Sequence, residues 1–218
     1  MKEGKFIVIE GIDGAGSTTH AHLLVERLWA VGKQAVYAHE PTVGFIGASI
    51  RKVLEKRQEP LMESGKHDWR AMALLFAADR VQHCERIKEH LAAGTWVVSD
   101  RYLLSSMAYQ GQTADVPMEE ALIWLRQINQ FAIQPFVTFV LQVEPVLAAQ
   151  RRAARGREPE LYETSDLQYK LGKLYKKARD LIPPNHWPHL IDANGEKDVT
   201  AEAIWRKLKD IEALEGCR

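Results

Sequence analysis

KFIVIEGIDGAGSTTH, residues 5–20, decides the fold. Phe6-Ile7-Val8-Ile9 is a short apolar run rich in β-branched residues, the pattern of a buried strand. Gly11, Gly14 and Gly16 follow it, and Thr18-Thr19 lead into a segment where Leu24, Leu28 and Val31 mark one helical face. Strand, glycine loop and helix in that order are the setting of a phosphate-binding loop, because loop N–H groups and a helix N-terminus converge on an anion. The usual signature is G-x-x-x-x-G-K-[ST]. Gly11 and Gly16 have the required separation, Thr18 takes the position of the magnesium-binding hydroxyl, and Ser17 stands where the lysine belongs. The candidate phosphate-holding residues are therefore Gly11, Ile12, Asp13, Gly14, Ala15, Gly16, Ser17, Thr18 and Thr19. A glycine-rich turn feeding a helix without any ligand is the bland alternative.

The 218 residues match one α/β core, so a single domain over 1–218 is expected. Lysine plus arginine equal aspartate plus glutamate at 29 each, so no bulk charge calls for nucleic acid or an anionic membrane. Cys84 and Cys217 are the two cysteines, too few for a disulfide framework and suited to a reducing cytoplasm. The residues at the start lack the apolar core of a signal peptide and no apolar run approaches a membrane span, so a soluble cytoplasmic enzyme or binding protein is expected.

Beyond the first helix, Gly32 is a stop signal and residues 34–38 predict a second strand, ending at His39-Glu40-Pro41-Thr42. Ile46, Ile50, Val53 and Leu54 predict a short helix, Glu59–His67 a loop, and Asp68–Leu91 a long helix striped by Trp69, Met72, Leu75 and Phe76. Arg80 lies four residues after Phe76 on the same face. Residues 95–99 predict a strand closed by Asp100-Arg101-Tyr102, and a strand-end aspartate is the usual companion of a phosphate loop, where it holds a magnesium water. Thr18 and Asp100 are thus the candidate metal ligands. A turn or cap is the ordinary reading of such an aspartate.

Pro117 suits the first turn of the helix carrying Leu122, Leu125 and Ile128, and Phe136–Val143 reads as an apolar central strand. Residues 151–157 carry four arginines around Gly156, either a solvated helix end or a basic lid over phosphates. Tyr169, Leu174 and Ala178 continue a helix toward Pro183-Pro184; His189–Ile191 is a last strand, and Val199–Leu214 a closing amphipathic helix. Strands alternating with helices throughout imply a P-loop NTPase-type α/β fold, a parallel five-stranded sheet with helices on both faces.

Several separated stretches together resemble the thymidylate kinase family: FIVIEGIDGAG, His39-Glu40-Pro41-Thr42, LLFAADR at 74–80, DRYLLSSMAYQG at 100–111, and Glu160-Leu161-Tyr162-Glu163-Thr164. Phosphoryl transfer from ATP to dTMP, giving ADP and dTDP with Mg2+, is what this resemblance implies. It further implies that Phe76 stacks on the base and that Arg80 reaches the base edge or the acceptor phosphate. Arg101 would clamp that phosphate. Tyr109 would pack beneath the deoxyribose, and Ser105, Ser106 and Gln110 would complete the nucleoside pocket, with Ser106 and Gln110 bonding thymine. Glu40 and Pro41 would line the acceptor side, Asp13 would contact the sugar 3′-hydroxyl or position the acceptor, and Tyr162 would close over the nucleoside. A homodimer is also implied, with ATP and dTMP as the small-molecule partners.

Two departures from the family pattern stand out. His39 occupies a position where many bacterial members carry arginine, and Ser17 removes a cation from the transferred group. A compensating charge is expected from Arg151, Arg155 or Arg157, with Arg155 and Arg157 favoured because they adjoin Gly156. The alternatives are a kinase for another nucleoside monophosphate or a deoxynucleoside, or a nucleotide-binding regulator impaired in catalysis.

Overall fold

The computed structural model describes residues 3–55, 67–156, 158, 160–176, 182 and 187–216. Among these, β1 (Phe6–Gly11), β2 (Ala35–His39), β3 (Trp96–Asp100), β4 (Val137–Gln142) and β5 (His189–Asp192) form one parallel sheet in the order β2-β3-β1-β4-β5. The helices are α1 (Ser17–Ala30), α2 (Phe45–Leu54), α3 (Trp69–Ala92), α4 (Leu103–Thr113), α5 (Met118–Ile128), α6 (Pro145–Ala153), α7 (Ser165–Lys176) and α8 (Lys197–Gly216). The five-stranded parallel α/β architecture expected from the alternating pattern is the one observed.

β1 explains the layering. All six of its residues are buried, as a central parallel strand requires. Its period-two alternation sends Ile7 and Ile9 into the larger core with Leu24 and Leu28 of α1 and Ile204 and Leu208 of α8. Phe6 and Val8 face the other side, against Cys84 and Ile87 of α3 and Tyr102. A third cluster joins Ile50, Val53 and Leu54 of α2 to Met72 of α3, with Phe76, Leu161 and Tyr162 packed against it.

The strand order reverses at β1, which has β3 on one side and β4 on the other. Loops leaving the carboxyl ends of these strands therefore border one crevice, the place where open α/β sheets bind ligands. Asp100 pairs in register with Ile9 on one side and His39 on the other, which puts three loop entrances at one level.

Local signals and structure differ in a few places. Val31, read as part of the apolar face of α1, is 53% exposed because α1 has ended there; Gly32 follows at φ 78 with its N–H on Trp29 O. The arginine-rich run is not a continuous helix. α6 stops at Ala153, and the segment before α7 contains Gly156 at φ 66 and Leu161, whose N–H donates to Leu54 O at 2.8 Å. Leu161 is thereby pinned on α2. The loop expected at Glu59–His67 lies, apart from His67, outside the described residues, as do Arg157, Ala178, Pro183, Pro184 and Cys217. Among the described residues, no helix is long and apolar enough to cross a membrane.

Candidate active site

The glycine loop turns tightly after β1. Gly14 and Gly16 take φ values of 92 and 95, in the left-handed region, and Ala15 N–H closes a turn on Ile12 O at 3.0 Å. No side chain caps α1, and its first turn holds no acidic residue, so its leading N–H groups stay open to an anion. Gly11 ends β1, while Ile12 and Ala15 are buried beneath the loop as packing residues. Gly14, Ser17 and Thr18 line a cleft of about 460 Å³.

Thr18 donates from Oγ1 to Asp100 Oδ2 at 2.5 Å, joining the start of α1 to the end of β3. The other carboxylate oxygen of Asp100 is buried without a protein partner. A buried anionic oxygen normally has a partner, so this one marks a place for a cation or its water. A hydroxyl and a carboxylate with a spare buried oxygen are oxygen donors of the kind Mg2+ takes, so Thr18 and Asp100 are the residues that would hold it.

Arg101 follows at φ 69, the left-handed region that side-chain-bearing residues seldom adopt. Its N–H is bound to Ile9 O at 2.9 Å. Nη1 donates to Gly11 O at 2.8 Å and to Ser105 Oγ at 3.2 Å, and Nη2 to Asp13 Oδ1 at 2.5 Å. The Tyr109 hydroxyl donates to Asp13 Oδ2 at 2.9 Å, and the Arg101 guanidinium lies 5.3 Å from the centre of the Tyr109 ring. Burial works against the Arg101 charge, but Tyr109 and Asp13 outweigh it and hold the guanidinium pKa well above its ordinary value.

The acceptor-side residues meet across the same cleft. Glu40, Pro41, Phe76, Arg80, Arg101, Ser105, Ser106, Tyr109, Gln110, Arg155 and Tyr162 all line it, as do Asp13 and Asp100. Arg80 is 1% exposed and heavily engaged: Nε and Nη2 grip Glu40 Oε2 at 2.9 and 2.6 Å, Nη1 meets Asn129 Oδ1 at 2.5 Å, and Nη2 reaches Ser106 Oγ at 3.0 Å. Gln110 presents a buried Oε1 without a protein partner. Arg155 enters the cleft with Nη1 3.9 Å from Glu163 Oε1, whereas Arg151 turns away to Ala193 O and Gly195 O. Thr19 is exposed at the start of α1 and lies outside the cleft lining.

Sequence reasoning missed several contributors. Gln168 of α7 is 1% exposed; its Nε2 donates to Asp13 Oδ2 at 2.6 Å and to Tyr162 O at 2.8 Å, while Asp13 N–H donates back to its Oε1 at 3.1 Å. Arg51 of α2 lines the cleft, 3.5 Å from Glu160. Nothing local marks either one. Glu10 did carry a signal, as an acid inside an apolar strand. It is fully buried and accepts from Tyr102 N–H at 2.9 Å, Ser105 N–H at 3.2 Å and Ser105 Oγ at 2.5 Å, with Tyr175 OH at 3.2 Å.

Burial raises the Glu10 pKa from 4.5 to about 7, against the lowering pull of Ser105 and Arg101. The folded protein therefore holds a proton that the unfolded chain releases between those two values. The stability this group contributes is greatest below pH 4.5, falls as pH rises, and is gone above about 7. Glu10→Gln is expected to remove that slope, improving on the parent by on the order of 2 kcal/mol at pH 8 relative to pH 5 in urea unfolding. Parallel pH profiles for the two proteins would show instead that the carboxyl is ionised in the fold.

A glycine loop of this kind on a parallel sheet, with a hydroxyl–carboxylate pair beside it and a guanidinium-rich cleft in front, defines a phosphate-loop phosphotransferase. Comparison with known proteins narrows the class. The sequence model of the family described as thymidylate kinase matches residues 9–204. The chain is 39% identical over 180 residues to the probable thymidylate kinase of Thermococcus kodakarensis, covering 82% of this chain and 85% of that one. It is also 39% identical over 216 residues to the probable thymidylate kinase of Methanococcus maripaludis strain C6, covering 95% and 98%. The solved thymidylate kinase of Candida albicans shares the fold, with a TM-score of 0.80 at 22% identity over 96% of this chain and 93% of that one. The chain belongs to the thymidylate kinase family. Its activity is that of the family, the phosphorylation of dTMP to dTDP.

Proposed function

We propose that ATP and dTMP lie end to end in one cleft, with ATP on the glycine loop and dTMP between α3 and α4. The observation that carries this reading is the continuity of the cleft. Gly14, Ser17 and Thr18 line it together with Phe76, Ser106 and Gln110, and Asp13, Asp100 and Arg101 also border it. In this reading the N–H groups of Gly14 to Thr18 cradle the donor phosphates, and Thr18 and Asp100 hold Mg2+. When bound, that ion neutralises charge across the donor phosphates. Arg101 grips the acceptor phosphate as a two-pronged donor, held in place by Asp13. Tyr109 and Gln168 keep Asp13 fixed, so the clamp is set before substrate arrives. No general base is required, because the attacking phosphate oxygen is already anionic.

On the nucleoside side, the unpartnered Gln110 Oε1 is an acceptor suited to the one N–H donor of the thymine ring. Phe76 offers its face to the base, and Tyr162 closes from the lid, its ring 5.7 Å from that of Tyr109. Phe76→Ala is expected to raise KM for dTMP about tenfold with a smaller change in kcat, since base stacking is worth about 1–3 kcal/mol. A KM within about twofold of the parent would place Phe76 in the core alone. The direct test of the whole reading is ADP formation with ATP, Mg2+ and a panel of nucleotides and nucleosides. Turnover confined to dTMP supports it, and turnover favouring a ribonucleotide sinks the assignment of Tyr109.

The same reading takes residues 1–218 as one domain, supported by a core that joins Ile7 to Leu208. It takes the enzyme as a cytoplasmic homodimer. Cys84, a buried free thiol, suits a reducing compartment. Leu74 and Val81, both about half exposed, stand two turns apart on α3 and supply an apolar face for a second copy. Light scattering across a dilution series reads the assembly directly.

A further inference from the structure

We propose that Arg152 supplies the fixed positive charge that Ser17 withholds from the phosphate loop. The inference rests on the reading of that loop as the ATP site. Ser17 is buried and brings no charge, so the loop lacks its own cation. Each described guanidinium lining the cleft is matched by a carboxylate: Arg101 by Asp13, Arg80 by Glu40, Arg51 by Glu160 and Arg155 by Glu163. Arg152 is not among the residues lining the cleft; it meets the glycine loop from α6. Its Nη1 donates to the Asp13 carbonyl oxygen at 2.6 Å, and among the described residues it has no carboxylate partner.

The backbone of α6 explains how the guanidinium gets there. A Cβ built on Gly14 would overlap the carbonyl oxygen of Ala148, so α6 rests directly on the loop at that point. Arg152 stands one turn beyond Ala148 on the same helix face. Long helical side chains lean toward the N-terminus, which carries this one back over the loop. A guanidinium has five N–H donors and the carbonyl uses one, leaving the others for phosphate oxygens. Arg155 lies past the end of α6 and its guanidinium faces Glu163, so Arg152 is the one anchored on the loop itself.

In the transfer, an oxygen of the dTMP phosphate forms a bond to the γ-phosphorus of ATP. The bond from that phosphorus to the β–γ bridging oxygen breaks, and its electron pair leaves on the β-phosphate of ADP. No proton is gained or lost in this step. Charge accumulates on the donor side, where a cation anchored on the loop stabilises it without moving.

The test is steady-state kinetics on Arg152→Ala, Arg152→Lys and Arg155→Ala, and on the two alanine variants combined with Ser17→Lys. Arg152→Ala is expected to lower kcat about 10²–10³-fold with KM for dTMP within about threefold. Arg152→Lys should fall less. Ser17→Lys should restore at least about tenfold when combined with Arg152→Ala and nothing when combined with Arg155→Ala, because only the first pair exchanges one loop cation for another. Thermal unfolding of each variant separates loss of charge from loss of fold. A kcat for Arg152→Ala within about threefold of the parent overturns the proposal, and so does a loss that Ser17→Lys fails to restore. If instead the unaltered protein forms no ADP from ATP and dTMP, the underlying reading of the cleft has failed.

Discussion

Arg101→Ala is expected to lower kcat/KM for dTMP by about 10³–10⁵, the range that one catalytic arginine commands in phosphoryl transfer. The structure commits much to this side chain. Its backbone holds φ 69 at a cost of about 1–3 kcal/mol, an expense tolerated where the surroundings over-determine it. Its guanidinium bridges the Gly11 carbonyl, Asp13 and Ser105, so it ties β1, the glycine loop and α4 together beside the cleft. Removing it takes away the acceptor clamp and leaves the Asp13 carboxylate without its ion-pair partner. Arg101→Lys should recover little, because an ammonium has no planar fork to span the same partners. A coupled assay of ADP release reads both variants, and a tenfold effect or less would move the clamp elsewhere.

Gly14→Ala should be a severely damaging change for a single methyl group. That methyl would collide with the carbonyl oxygen of Ala148, and the residue would have to keep φ 92. Backbone strain and overpacking together amount to roughly 2–4 kcal/mol, or about 5–15 °C in Tm for a chain of this size. ATP affinity should fall with it, since α6 and the loop must part to make room. Gly156→Ala is the control. It carries similar backbone strain at φ 66 but has nothing within 4 Å of the added carbon, so its loss should stay near about 1–2 kcal/mol. Equal Tm losses for the two would show that strain, and not the contact with α6, sets the cost.

The strand–loop–helix unit, Asp100 at a strand end and the apolar stripe of α3 were all readable from local order. Each is a short-range pattern: β-branched residues in a run, glycines at fixed offsets, an acid where a strand stops. Glu10 shows the limit of such patterns. An acid in a strand normally faces water, yet here the chain returns at Ser105 and Tyr175 to surround it. Gln168 meets Asp13 across 155 positions of sequence, and no spacing rule spans that distance.

The arginine-rich run makes the division plainest. Composition and position made it the expected source of replacement charge, and favoured Arg155 and Arg157 for their neighbouring glycine. Where those guanidinium groups end up depends on where α6 stops and on what its backbone rests. Arg151 faces the turn after β5, Arg152 the loop carbonyl and Arg155 the cleft, although the first two are adjacent in sequence. By itself, then, the sequence determined the succession of strands and helices, the glycine loop and the chemistry its family performs, because these rest on backbone preferences over a few residues and on motifs held in order. Only the tertiary structure decided which side chains share the cleft, because a helix turns successive residues about 100° apart and packing against the loop selects among them.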